Sequence, residues 1–316
     1  MTRAAPLLSA GLLILLMASA CAEPAAVRRN FALDVLQEYA PDGYEVVSLY
    51  ESTPWSYALP GRSIQMSPAD FMVFVRGSGE MDTVASLPTA VHETCHNFAR
   101  KMPWYYLTQR KETWRECLAI PMRRGEVALV PITPTFPTKE IVPRIPATLR
   151  DIRFDIYVNS KTPEQTTQQS GVYGLLDEFN AYQQGTRTAL DLEGWYAKGG
   201  TPQAWERWRT GVEGLYSAHP QFKLFILAWL AQAREKHPEA YRAFLENRTA
   251  VETFLRVDVL FSDTIKRYFA GRPAARASNP HLEMLARSSA EISRAATVEV
   301  GRYAEIERAL REAASR

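Results

Sequence analysis

The sequence predicts an α+β chain: a small N-terminal sheet and one motif-bearing helix, followed by a largely helical C-terminal part. Three observations carry this prediction. Tyr44–Tyr50 (YEVVSLY) and Phe71–Val75 (FMVFV) are short runs of strand-forming residues, the first preceded by Pro41-Asp42-Gly43 and the second closed by Gly77-Ser78-Gly79. From Pro88 to Phe98 the flanks of a His-Glu-x-x-His pattern are all uncharged, as in a helix buried on most sides. Beyond residue 200, apolar residues recur at helical spacing, beginning with Trp205, Trp208, Val212 and Leu215.

Composition narrows the class. The chain has 316 residues, 46% of them hydrophobic and 23% charged, with a formal net charge of +2. That is enough apolar sequence for a sizeable core, and too little charge, with no single-sign block, for a nucleic-acid partner. Residues 1–22 read as an export signal: Arg3 is the basic end, Leu7–Met17 is nearly all apolar, and Ala18-Ser19-Ala20 is an A-x-A cleavage pattern. The expected location is the periplasm or outer envelope. Cys21 follows small residues as in a bacterial lipoprotein signal, although Ala18 stands where that pattern prefers Leu. A lipid anchor at Cys21 is thus the one membrane attachment the sequence offers, beside a fully soluble mature chain.

Residues 23–185 are expected to form the metal-binding core. On a helix, His92 and His96 lie about 40° apart around the axis and one turn apart along it. Two imidazoles so placed can hold one Zn²⁺, with Glu93 beside them to take a proton from water. The plain alternative is two surface histidines on an amphipathic helix, and the apolar flanks argue against it. Pro88 is expected in the first turn, where its missing N–H costs little. A strand just ahead of this helix is either an ordinary buried strand or an edge that adds an extended peptide. Cys95 and Cys117 have three readings: a disulfide, buried free thiols, or Cys117 as a metal ligand. Cys95 leaves the helix sideways from the metal face, which favours the first two. Glu126–Ile132 and Ile152–Val158 read as strands. The five prolines at 131, 134, 137, 143 and 146 mark an irregular insertion over or beside the site, or else a linker between domains.

A zinc site with two histidines needs a third protein ligand and an open position. The stretch Ser170–Gly185 supplies the candidate. From Leu175 it reads as a helix that Gly185 ends. Glu178 sits in an apolar setting where an unpaired carboxylate would be costly, and Ala181 leaves room for another helix to come close. Asp177 next door is the alternative ligand.

His92-Glu93-x-x-His96 together with a distant helical Glu resembles the gluzincin metallopeptidases, the zincin-like class that includes thermolysin. The Glu178-Phe179-x-Ala181 run is closer to the third-ligand helix of lethal-factor-type members. The resemblance covers these two motifs. It implies a zincin-like domain that hydrolyses a peptide or protein substrate, with His92, His96 and Glu178 binding zinc and Glu93 as general base. Tyr182 stands where thermolysin-like enzymes carry an Asp behind a ligand His, which leaves Asp177 as a substitute for that part. Gluzincins often supply a Tyr or His to the developing oxyanion. Tyr173, in a Gly-flanked segment ahead of Glu178, is the expected donor, and Tyr182, one turn beyond Glu178, is the other candidate. From another class, a catalytically inactive zincin-like envelope binding or structural protein would carry the same motif. A di-iron carboxylate site would need a second Glu-x-x-His, and the sequence has none.

Residues 186–316 read as helical. Leu224–Ala231 (LFILAWLA) is apolar all round and predicts a central buried helix, too short to span a bilayer. His219, His237 and His281 each adjoin a proline and are expected in surface turns. From Leu282 to Arg316 the pattern predicts one long amphipathic helix that packs on the body or on a partner. Nothing in the sequence sets an oligomeric state.

Overall fold

A computed structural model describes residues 25–54, 56–59, 62–66, 70–199, 201–271 and 279–316. The expected export signal over residues 1–22 and the Cys21 anchor lie outside the described residues. Those residues are mostly helical, with two short antiparallel hairpins.

The first two helices, α1 (Ala25–Tyr39) and α2 (Pro41–Ser52), replace the expected first strand. Pro41 stands in the first turn of α2 with Asp42 beside it, a helix start rather than a turn between strands. Gly43, Val46, Val47 and Tyr50 are its buried residues, a period near 3.6 rather than 2. The hairpin β1 (Ser56–Leu59) and β2 (Arg62–Gln65) follows, with Tyr57 paired to Ile64. Phe71–Phe74, expected as the second strand, is a single 3₁₀ turn whose cap, Asp70, accepts from the Met72 N–H at 2.9 Å. No strand edge therefore stands there to receive a peptide.

Helix α3 (Glu80–Gln109) carries the His-Glu-x-x-His motif at its middle. It begins eight residues before Pro88, so Pro88 and Pro103 both lie inside it rather than in a first turn. The second hairpin, β3 (Cys117–Pro121) and β4 (Val127–Pro131), packs behind it. Its two faces are both covered. Cys117, Ala119 and Leu129 meet Phe98, Met102 and Leu107 of α3, while Leu118, Ile120 and Val130 join the largest core cluster. Burial on both sides makes β3 a continuous apolar run instead of an alternating one, which hid it in the sequence. One two-stranded sheet thus precedes the motif helix, at other residues than expected, and a second follows it. Cys95 and Cys117 are both free and buried in separate clusters, Cys95 with Val46 and Ala181, so no disulfide joins them.

The Pro-rich segment is an irregular insertion rather than an extended linker, and it reaches the neighbourhood of the site through Thr138, whose hydroxyl donates to the Tyr157 carbonyl. Two 3₁₀ turns, Thr138–Arg144 and Ala147–Leu149, fasten it to the C-terminal helices. Phe136 stacks on Trp229 at 4.1 Å and accepts from its indole N–H through the backbone carbonyl at 3.1 Å. Ile152–Val158, read as a strand, is helical, with a π-turn over Phe154–Val158. Asp151 caps it, its carboxylate accepting from the N–H groups of Arg153 and Phe154 at 3.0 and 3.2 Å.

After the short helix α4 (Thr166–Ser170), α5 (Val172–Asp191) runs through the centre of the molecule. Gly171 joins them at φ +52°, and a Cβ there would lie 2.4 Å from the Phe136 carbonyl oxygen. Gly185, expected to end the helix, sits inside it.

The remaining helices are α6 (Glu193–Gly199), α7 (Pro202–Glu213), α8 (Ala218–Lys236), α9 (Pro238–Glu246), α10 (Arg248–Gly271), α11 (Pro280–Gly301) and α12 (Ala304–Ala314). As expected, Leu224–Ala231 is buried throughout, at the heart of α8. The expected single tail helix is two, broken at Arg302 and Tyr303; Leu282, Ile306 and Leu310 are buried against the body. His219 is not in a surface turn: it lies in α8 and bonds Asp258 of α10 at 2.9 Å.

Trp229 is fully buried and anchors the Pro-rich segment to α8. Trp229→Ala is expected to lower unfolding free energy by about 3–5 kcal/mol in urea denaturation. A loss below about 1 kcal/mol would show that this contact does not hold the segment in place.

Candidate metal centre

The site is built where α3 and α5 cross. The helices run antiparallel: Gly185 lies against Pro88 and His92, and about two turns back along α5, Asp177 and Glu178 meet His96. The approach is close because the contact residues are small. Ala181 is fully buried, and a Cβ on Gly185 would stand 3.0 Å from the Pro88 carbonyl oxygen and 3.3 Å from His92 Cβ. Ala181 therefore does what its size suggested, and Gly185 serves packing rather than termination.

Three ligand atoms converge at the crossing. His92 Nε2 and His96 Nε2 are 3.1 Å apart, and Glu178 Oε2 lies 3.8 Å from the first and 3.3 Å from the second. For zinc held at about 2.0–2.1 Å, tetrahedral geometry sets ligand atoms about 3.3–3.4 Å from one another. The observed triangle brackets that spacing. Glu178 Oε2 is also buried with no hydrogen-bond partner, a costly arrangement for a carboxylate oxygen unless a cation meets it. The donor set, two imidazole nitrogens and one carboxylate oxygen, suits zinc and other divalent first-row metals.

The neighbours aim both imidazoles. Asp177 Oδ2 lies 2.9 Å from His96 Nδ1 and fixes the proton there, leaving Nε2 to face His92 and Glu178. Asp177 thus takes the supporting place rather than the ligand place. His92 is hydrogen-bonded to the backbone of Ala181 and packs edge-on against the Tyr182 ring, 4.7 Å between centroids. Burial and the neighbouring His96 push His92 down to about 3. Burial also opposes charge on His96, but the Asp177 and Glu178 carboxylates outweigh it and hold His96 well above the usual imidazole range. Burial raises Glu178.

Two cavities open on this centre and share His92, Glu93 and Tyr157 in their walls. Glu93 lines both, next to His92 and His96. The predicted tyrosine is displaced. Tyr173 is fully buried, its hydroxyl 2.5 Å from Thr133 Oγ1 and 3.3 Å from Asn247 Nδ2. It sits in the first turn of α5, about 140° around the helix from Glu178, and so points into the core, not the cleft. Tyr182 does reach the cleft, one turn beyond Glu178. The residue the sequence reading missed is Tyr157. Its hydroxyl is 3.2 Å from that of Tyr182, and burial, then the Glu178 charge, push its pKa well above the ordinary tyrosine value. The strand reading of Ile152–Val158 hid it; the helix-capping Asp151 was the available signal.

His92, His96 and Glu178 are the one group of such side chains placed to hold a metal among the described residues. His219 and His237 are paired instead with Asp258 and Glu140. Comparison with protein-family models, with curated proteins and with solved structures finds no match to this chain.

Asp177→Asn keeps the side-chain shape but loses the carboxylate that holds the His96 proton. Zinc affinity, measured by competition with a chromophoric chelator, is expected to fall about 10- to 100-fold. Unchanged affinity would remove Asp177 from the support of the centre.

Proposed function

We propose that the chain is an exported zinc-dependent peptidase of the gluzincin type, hydrolysing peptide bonds in a peptide or protein substrate. The observation that carries this reading is the convergence of His92 Nε2, His96 Nε2 and Glu178 Oε2 within 3.8 Å of one another, beside Glu93 in an open cleft. The antiparallel pair of α3 and α5, with a small hairpin behind α3, supports a zincin-like reading of this mostly helical structure. The N-terminal pattern Arg3, Leu7–Met17 and Ala18-Ser19-Ala20 supports export, with or without a lipid at Cys21. No helix among the described residues is long and apolar enough to cross a membrane.

His92, His96 and Glu178 would hold the metal. Zinc, when bound, supplies Lewis acidity that polarises the scissile carbonyl and lowers the pKa of water. The remaining steps belong to side chains. Glu93 accepts a proton from the attacking water and returns it to the leaving amine. The Tyr157 hydroxyl, facing the cleft, donates to the oxygen on which charge develops. Tyr182 orients that hydroxyl and walls the His92 ring, and Asp177 holds His96 in the tautomer that presents Nε2 to the centre.

Tyr157 is held firmly enough for this part. Its carbonyl accepts from Thr138 Oγ1 at 2.8 Å. Arg153, four residues earlier, donates to Ser217 Oγ at 3.1 Å, Gln221 Oε1 at 2.9 Å and the Gly214 carbonyl at 2.5 Å. The π-turn that carries Tyr157 is therefore tied to the start of α8.

Purified full chain, loaded with zinc and given a broad peptide library, is expected to cleave it. Glu93→Gln should retain zinc and lose about 10²–10⁴ in turnover. Tyr157→Phe should lose about 10²–10³, while Tyr173→Phe should leave turnover unchanged. A chain that binds zinc and cleaves nothing would instead be the inactive envelope binding protein; full activity in the Glu93 variant would remove the general base.

A further inference from the structure

The larger of the two cavities, about 410 Å³, takes His92, Glu93, His96, Asn97 and Arg100 from α3. Arg100 stands one turn beyond His96 and about 40° around the axis from it, between the directions of His96 and Glu93. Both histidines, Glu93 and a guanidinium therefore share one stripe of one helix. Glu164, Gln165 and Thr166 add further polar lining, and Phe74 and Ile156 are the apolar members.

The guanidinium is anchored without being neutralised. Arg100 Nη2 donates to Thr166 Oγ1. Thr166 is itself fixed: a Cβ on Gly174 of α5 would stand 2.7 Å from its carbonyl oxygen. Two residues on in α4, Gln168 donates to Thr138 Oγ1 at 2.6 Å and to the Val158 carbonyl at 3.2 Å. Arg100 is exposed, and no carboxylate among the described residues forms an ion pair with it. The carboxylates that line the same cavity are placed otherwise. Glu178 faces the two imidazoles, Glu93 lies about two turns back along α3, and Glu164 is exposed and forms no ion pair with Arg100. An arginine keeps its charge throughout the ordinary pH range, and its planar fork matches a carboxylate through two parallel N–H···O bonds.

We propose that Arg100 receives a carboxylate of the substrate, a free C-terminus or an acidic side chain, about two residues from the bond that is cut. The inference rests on the peptidase reading. From His96 to Arg100 the helix advances about 6 Å, and an extended peptide advances about 3.3–3.6 Å per residue. A chain whose scissile carbonyl sits at His92, His96 and Glu178 therefore reaches the guanidinium in about two residues. Thr166 engages one N–H of the fork and sets its orientation, and the remaining donors stay available to the substrate. A charge-assisted bond of this kind separates a carboxylate from the amide of the same shape by about 10- to 100-fold.

The test gives the zinc-loaded full chain matched peptides and reads kcat/KM by mass spectrometry. One pair differs only in a free or amidated C-terminus; a second set, all amidated, carries Glu or Gln at each position near the cleaved bond. The wild type should favour the carboxylate about 10- to 100-fold in one of the two arms, and the arm that responds names the source. Arg100→Gln should bring that ratio close to one while cleavage of the amide or Gln peptide stays as in the wild type. Arg100→Lys keeps the charge without the fork and should give an intermediate ratio. The wild-type ratio needs no variant, so the test stands even if the substitutions disturb folding. A wild type that cleaves carboxylate and amide peptides alike in both arms, or an Arg100→Gln variant that keeps the wild-type ratio, overturns the assignment of Arg100 and leaves the peptidase reading intact. A wild type that cleaves no peptide overturns both.

Discussion

The close antiparallel contact of α3 and α5 is the constraint on which the rest of this structure depends. Two ligands on one helix and a third on another share a metal only if the helix surfaces nearly touch. Ala181 and Gly185 allow that; a methyl group on Gly185 would already press on the Pro88 carbonyl and His92 Cβ. Because a turn of α3 matches a turn of α5, the same contact that seats His92 against residues 181–185 brings His96 onto Asp177 and Glu178. Ligand triangle and supporting hydrogen bond thus follow from one packing geometry.

That geometry is held from both sides. Behind α3 the second hairpin fills the space between Phe98, Met102 and Leu107. Behind α5 the buried helix α8 presses Phe222 and Trp229 into the largest core cluster, and Trp229 ties in the Pro-rich segment. The core supports an arrangement that is itself expensive. Asp177 and Glu178 are adjacent carboxylates, both almost wholly buried, and burying charge without a partner costs several kcal/mol. A fold selected for stability alone has no use for them; under the proposed function, a cation shared by His92, His96 and Glu178 would give them one.

The site was more legible in the sequence than the fold. His92, His96 and Glu178, which the structure brings together, stood out in the sequence because a His-Glu-x-x-His spacing and a carboxylate in an apolar helix are local patterns, and Asp177 stood out beside them. Strand and helix were harder to tell apart in short apolar runs. Tyr44–Tyr50 and Ile152–Val158 are rich in β-branched and aromatic residues, yet both are helical, because Pro41 with Asp42 and the capping Asp151 start helices there. Tertiary packing, which one sequence does not display, then decides the outcome. The same gap explains the two tyrosines. Tyr173 was placed by its neighbours along the chain, but the helix turns it into the core. Tyr157 reaches the cleft only through a π-turn fixed by Arg153 and Thr138, contacts 19 to 68 residues away in sequence. Gly185 was read as a stop because glycine often ends helices; here its missing side chain is what lets α3 approach.

The central claim is that two imidazoles and one carboxylate hold a single zinc ion, with no part for the thiols of Cys95 and Cys117. Zinc-edge X-ray absorption spectroscopy of the loaded full chain addresses it most directly. The account predicts one zinc per chain, a first shell of nitrogen and oxygen at about 2.0–2.2 Å, and outer-shell scattering from two imidazoles. That signal should be lost when His92, His96 or Glu178 is replaced by alanine. Sulfur scattering at about 2.3 Å, or a chain that takes up no zinc, would contradict it.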